Sequence, residues 1–209
     1  LTHAAPAALK PRKRPQQRRA AATLDAIFEA TIQLLVKDGI ARLTTTRVAE
    51  RAGVSVGTMY QYFPHKQALI YAVNESYLSA LAERIEAACR AHHGETAANM
   101  VESLIDTYWK AKMERPDVTR ALYRSVVELD NEALIQAFAE RTDAATAEML
   151  ATASDKTFAD VVSVNRTLVT VIFGAVRNSF ERGQSVEIAE EFRQQLLIMC
   201  RAYLEARMR

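Results

Sequence analysis

Apolar residues along this chain recur three and four positions apart rather than two, and Ala, Leu, Glu, Arg and Gln dominate the intervals. That spacing predicts helices throughout. Between Arg18 and Asp38, Leu24, Ile27, Phe28, Thr31, Leu34 and Leu35 share one face, and Gly39 follows as a stop. "TTTRVAERAG" then predicts a short second helix, capped by a threonine hydroxyl and closed by Gly53 in the left-handed conformation. Ser55 caps a third, which cannot pass Phe63 because Pro64 disfavours helical geometry in the residue before it. A long fourth helix is expected from Lys66 to His92, with Gly94 beyond its end. Five more follow over 97–113, 116–127, 131–153, 158–182 and 185–208, stopped at Arg115-Pro116, Asp130-Asn131, "TASDKT" and Gly183. The expectation is an all-α fold of about nine helices.

The phase of the third helix decides its use. At about 100° per residue, Met59 and Phe63 share one side, where with Val54 they can pack on Val48 and the first helix. Val56, Gly57, Tyr60 and Gln61 fall on the other side. An outward tyrosine beside a valine and a glycine is poor surface for a soluble domain, yet it suits a helix covered by DNA. Charge points the same way. Through Lys66 there are eleven Lys and Arg against four Asp and Glu, and after it sixteen against twenty-one, so the net charge of +2 hides a basic first third. Such a segment is the footprint of a surface that meets phosphates, with a merely solvated basic face as the alternative. "KPRKRPQQRR", broken by Pro11 and Pro15, makes residues 1–17 a basic flexible arm.

Two short helices joined by a glycine turn match the helix-turn-helix pattern. Gly57 then removes a side chain where the helix comes nearest the duplex, and Ser55 and Thr58 offer hydroxyls to phosphate. Val56 and the Thr58 methyl can meet a thymine methyl, and Gln61 can pair with an adenine edge. Tyr60 and Tyr62 can donate phenolic hydrogen bonds to bases or phosphates. Lys66 is placed to clamp a phosphate, while Thr45, Thr46 and Arg47 grip the flanking strand.

"LTTTRVAERAGVSVGTMYQYFPHKQAL" resembles the N-terminal DNA-binding domain of the TetR (tetracycline repressor) family of bacterial transcriptional regulators. The likeness covers about Arg18 to Val73, and beyond it only helix number and length agree. His65 and Gln67 depart from it, standing where Ser, Asn or Asp and an acidic residue are more usual, so the fourth helix should lose about half a kcal/mol of capping or more. The resemblance implies a helix-turn-helix DNA-binding domain over 18–66 and a larger helical ligand-binding and dimerisation domain over 67–209. It further implies a homodimeric repressor that leaves a palindromic double-stranded operator when a small, largely apolar effector binds. The alternative is a DNA-bound scaffold that recruits a protein partner and senses no small molecule.

In the last two helices Ile188, Phe192, Leu196, Met199 and Tyr203 form one stripe, and Leu197, Cys200 and Leu204 begin a second. A helix apolar on two sides needs two partners: the monomer core, and a second subunit met through these helices together with Val169, Ile172, Phe173, Val176 and Phe180. For an effector pocket the candidates are Tyr108, Trp109, Met113, Tyr123, Phe138 and Phe173, although for each taken alone ordinary core is the more common use. Tyr77, Met100 and Met149 belong to the same set, with Asp106, Arg120, Arg124 or Asn178 as a polar anchor or as solvated surface.

Cys89, His92 and His93 have the spacing to approach a zinc ion, but a helix end with a core thiol accounts for them, and no metal or cofactor is expected. Cys89 and Cys200 lack CxxC spacing and read as small buried hydrophobes. No phosphate loop, HExxH or GxSxG is present, so an enzyme is not expected. No apolar run reaches the roughly 18–20 residues of a spanning helix, and Leu1 to Ala8 lacks a signal-like core, which makes a cytoplasmic location the expectation.

Overall fold

The computed structural model describes residues 18–128, 131–155, 157–182 and 186–207. Among these lie nine α-helices: α1 (Arg18–Asp38), α2 (Thr45–Ala52), α3 (Val56–Tyr62), α4 (Lys66–Ala91), α5 (Ala97–Met113), α6 (Pro116–Glu128), α7 (Glu132–Ala151), α8 (Val161–Glu181) and α9 (Val186–Arg207). A 3-10 turn, Ile40–Arg42, joins α1 to α2, and no strand occurs among the described residues. The largest departure from the expected boundaries is at α8, which starts at Val161 instead of Phe158. Asp160 fixes that start by accepting a hydrogen bond from the Ser163 N–H at 2.9 Å. The arm over 1–17, Asp130, Gly183, Ser185 and Met208 lie outside the described residues.

Contacts divide the chain into two compact units. The first runs to Leu78 and takes in Asp117–Gln136; the second joins Ser79–Pro116 to Ala137–Arg209. The first unit thus holds the stretch read as DNA-binding, together with the first half of α4 and all of α6 but Pro116.

Its core draws on each of these helices. Ile27, Leu34 and Leu35 of α1, Val48 and Ala49 of α2, Met59 of α3 and Leu69, Ile70 and Val73 of α4 are all buried with Phe63. The Phe63 ring lies 6.1 Å from that of Phe28 and 6.2 Å from that of Tyr62. Helices as short as α2 and α3 are unstable alone, so this shared burial holds them. Val118 and Leu122 bring α6 into the same cluster. Beside them Ser125 Oγ donates to Asn74 Oδ1 at 3.2 Å, and the Tyr77 and Thr119 hydroxyls meet at 3.3 Å, so buried polar groups between α4 and α6 are satisfied.

In the second unit α5 packs against α8 and α9. Met100, Leu104 and Ile105 of α5, Ile172 and Val176 of α8, and Leu196, Cys200 and Leu204 of α9 are buried. Arg193 pairs with Asp106, and Arg141 grips Glu86 through two hydrogen bonds of 2.8 and 3.0 Å. One expectation changes here. Val169, Ile172, Val176 and Phe180, read as a face for a second subunit, are buried within the single chain, because α8 uses that stripe on α5 and α9.

Candidate nucleic-acid interface

Both short helices have fixed ends. Thr44 Oγ1 accepts from the Arg47 N–H at 3.2 Å and starts α2, and Gly53 (φ 69°, ψ 28°) ends it in the left-handed region, where a Cβ is costly. Ser55 Oγ accepts from the Thr58 N–H at 2.9 Å and lies 2.8 Å from the Thr58 hydroxyl. That pair pins the first turn of α3, so the rotational phase of a helix only seven residues long is set at its first residue.

The result is a two-faced helix. Met59 is wholly buried, whereas Tyr60 is 45% exposed, Val56 is 39% exposed, and Gly57 and Gln61 are open to solvent. A Cβ added at Gly57 would meet only Ser55 Oγ, at 3.7 Å, and its φ is ordinary. Nothing among the described residues therefore requires glycine there.

Several residues expected to touch DNA take other positions. Tyr62 is 6% exposed and packs beside Phe63, because it sits three residues from the buried Met59, so its ring belongs to the core and not to the outer face. Thr45 is also buried, its hydroxyl 3.5 Å from the Tyr60 hydroxyl, a long contact that props the outward phenol. Thr46 is exposed.

The two cations are tethered to one short segment. Arg47 pairs with Asp38 and donates to the Arg42 carbonyl at 2.7 Å, and its guanidinium holds the Asp38 carboxyl below the usual carboxylate range. Lys66 Nζ donates to the Ile40 carbonyl at 3.3 Å. Residues 38–42 thus anchor both side chains expected to meet phosphate. This device was missed in the sequence, since no local spacing links residue 38 to 47 or 40 to 66. Arg51, held by Gln33 at 2.7 Å, is a further exposed cation that was overlooked. At α4 the unusual His65 makes its own cap: Nδ1 accepts from the Ala68 N–H at 3.1 Å. The imidazole takes the place of the expected oxygen acceptor.

Among the body residues, Tyr108 and Phe173 stack at 4.3 Å and Phe138 lies 5.7 Å from Phe173. Trp109 joins a different group, 6.1 Å from Phe180 and 6.4 Å from Phe192. Met113 is half-buried, and Tyr123 falls in the first unit. One residue beside the aromatic trio escaped notice. Lys112, a turn beyond Tyr108, is 1% exposed, with Nζ 5.2 Å from the Tyr108 ring centre. Burial, aided by the nearby charge of Arg177, pushes its pKa down from 10.5 to about 7. The signal was available, because Lys112 continues the apolar stripe Val101, Ile105, Tyr108. Burial also lifts the Cys89 and Cys200 thiols to about 11, which keeps them protonated near neutrality. No described helix is long and apolar enough to cross a membrane.

A helix-turn-helix whose second helix turns Val56, Gly57, Tyr60 and Gln61 outward, in an all-α chain, defines the class of DNA-binding transcriptional regulators. Residues 27–73 match the family described as bacterial regulatory proteins of the tetR family, and residues 96–204 match the tetracyclin repressor-like C-terminal domain. The chain belongs to the TetR family. It is 36% identical over 97 residues to the nucleoid occlusion factor SlmA of Actinobacillus pleuropneumoniae, covering 46% of this chain and 47% of that protein. It is 30% identical over 136 residues to the HTH-type transcriptional repressor KstR of Rhodococcus jostii, covering 64% and 56%. The chain therefore spans about half the length of the relatives it matches. A TetR-family regulator of Mesorhizobium loti has the same fold, with a TM-score of 0.72 at 18% identity over 91% of this chain and 98% of that one. FadR of Bacillus halodurans, described as a fatty acid degradation regulator, gives 0.63 at 16% over 83% and 97%.

Proposed function

We propose that this regulator is a homodimeric repressor that leaves a palindromic operator when a small molecule binds. The observation that carries the DNA half of this reading is the outer face of α3, where an unneeded glycine lies beside an exposed tyrosine and glutamine. Thr46, Arg47, Ser55 and Lys66 flank that face as phosphate partners, with Val56, Thr58, Tyr60 and Gln61 reading bases. Thr45 acts by supporting Tyr60. Two such helices, one per subunit, reach successive major grooves roughly 34–36 Å apart.

For the dimer, the large apolar side chains exposed among the described residues of the last two helices include Val162 at 57%, Ile188 at 51%, Ile198 at 59% and Met199 at 50%. They suit burial against the same helices of a second copy. For the effector, the trio Tyr108, Phe138 and Phe173 supports an aromatic-lined site in the second unit, where ligand binding would shift the population toward a form with mis-spaced reading helices. The test is selection of bound duplexes from a random library, followed by a small-molecule screen for release. Recovery of a two-fold symmetric site released by a ligand supports the reading. Enrichment of no common sequence would remove it.

A second reading, to which the similarity over 46% of this chain to a protein named a nucleoid occlusion factor lends weaker support, is a DNA-bound scaffold that recruits a protein partner without sensing a small molecule. In that case the selected duplexes would be specific, but no small molecule would release them.

A further inference from the structure

The first unit contains a cleft of about 410 Å³ that the reading of the body does not use. One wall is the end of α1 and the 3-10 turn, with Leu35, Val36, Asp38, Gly39, Ile40 and Ala41; the other is α6, with Asp117, Arg120, Ala121, Arg124 and Ser125. Its volume is that of a site for a small organic molecule. Its chemistry is divided: Leu35, Val36, Ile40 and Ala41 make an apolar side, and Arg120 and Arg124, one turn apart, stand opposite. Neither arginine has an ion-pair partner among the described residues, although Asp117 lies one turn before Arg120. The Asp38 carboxylate at the same cleft is committed to Arg47. An added anion would therefore meet two available guanidinium groups and one exposed carboxylate.

We infer that this cleft binds a small amphipathic monoanion, a carboxylate on a compact apolar body, and that its occupancy acts on the DNA-reading head directly. The carboxylate is held by Arg120 and Arg124, which present planar donor pairs to it, and the apolar body lies against Val36, Ile40 and Ala41. The route to the head is short. The cleft wall formed by residues 38–41 carries the Asp38 side chain that pairs with Arg47 and the Ile40 carbonyl that receives Lys66. A molecule that displaces this wall re-aims both phosphate-directed cations. This second effect rests on the DNA-binding reading; the binding itself does not.

The experiment uses the full chain and two isosteric probes, 1-naphthoate and 1-naphthamide, in calorimetry without DNA. Naphthoate is expected to bind at least about tenfold more tightly than the amide, because only it engages the arginines as a charge. The double variant R120Q/R124Q should abolish that difference while keeping the parent's thermal melt. Ala41→Phe, which fills the cleft from the opposite wall, should weaken both probes. Hydrogen exchange should show naphthoate protecting residues 35–42 and 117–125. Equal affinity for the two probes, full retention in R120Q/R124Q, protection confined to the Tyr108 and Phe173 region, or no binding at millimolar probe would each overturn the inference. A DNA arm then measures whether naphthoate lowers affinity for a selected duplex. Failure of that arm alone would leave the site standing and remove its link to the head.

Discussion

The two units contrast in how tightly local chemistry constrains function. In the first, two helices of seven and eight residues have their starts and stops set by Thr44, Gly53, Ser55 and Phe63, and every exposed position on α3 has a defined direction. In the second, helices of 17 to 22 residues present apolar surface on several sides, and one stripe serves a core, a pocket or a partner equally well. Short capped elements make a side chain's role readable. Long buried ones make it interchangeable, because burial rewards area and not identity.

Substitutions can break or sharpen this contrast. The largest effect is expected from Phe63→Ala, which should cost about 3–5 kcal/mol in urea unfolding by emptying the centre of the head's core. A loss below about 1 kcal/mol would mean that the short helices do not depend on that shared burial. Next, Tyr60→Ala and Gln61→Ala should each weaken a selected duplex by about 1–3 kcal/mol and leave random DNA nearly unchanged. Lys66→Ala should instead weaken all sequences and flatten the salt slope by about one unit. Equal losses on specific and random DNA for all three would erase the distinction between reading and clamping.

In the body the informative variant is Lys112→Met, which replaces the buried amine by an apolar chain of similar length and should change how stability depends on pH. The pH dependence follows from a folded pKa near 7 against an ordinary 10.5. Between those values the unfolded chain binds the extra proton, so parental stability should rise with pH across that window and be penalised fully below it. Melting curves from pH 6 to 10 should show that rise in the parent and a flatter profile in the variant. Destabilisation at every pH would instead mark the ammonium as structurally required. The smallest stability effect is expected from Gly57→Ala, which should gain about 0.5–1 kcal/mol of helix stability while lowering DNA affinity. Unchanged affinity would show that the glycine is not there for a close approach.

Most of the fold was legible because helix signals are local. Apolar period, threonine and serine caps, glycine stops and the Pro64 break each act within a few residues, and the helix ends they predict fall within a few residues of those observed. The outer face of α3 was legible for the same reason, as its phase follows from Met59 and Phe63 facing inward. Tyr62 was misread although its three-residue spacing from Met59 already turned it toward the buried side, where its ring packs beside Phe63. His65 was read as a weak cap because its imidazole acceptor becomes apparent only when the Ala68 N–H is seen in front of it.

What the sequence by itself determined is the set of helices and the outward residues of the reading helix, since both depend on interactions reaching four residues or fewer. Tertiary structure alone decided which apolar stripe of α8 is used within the chain, that Arg47 and Lys66 hang on residues 38–42, and that α6 closes a cleft against them. Each of these joins residues distant in the chain, and such pairings are selected by the packing of whole helices, to which no local pattern is sensitive.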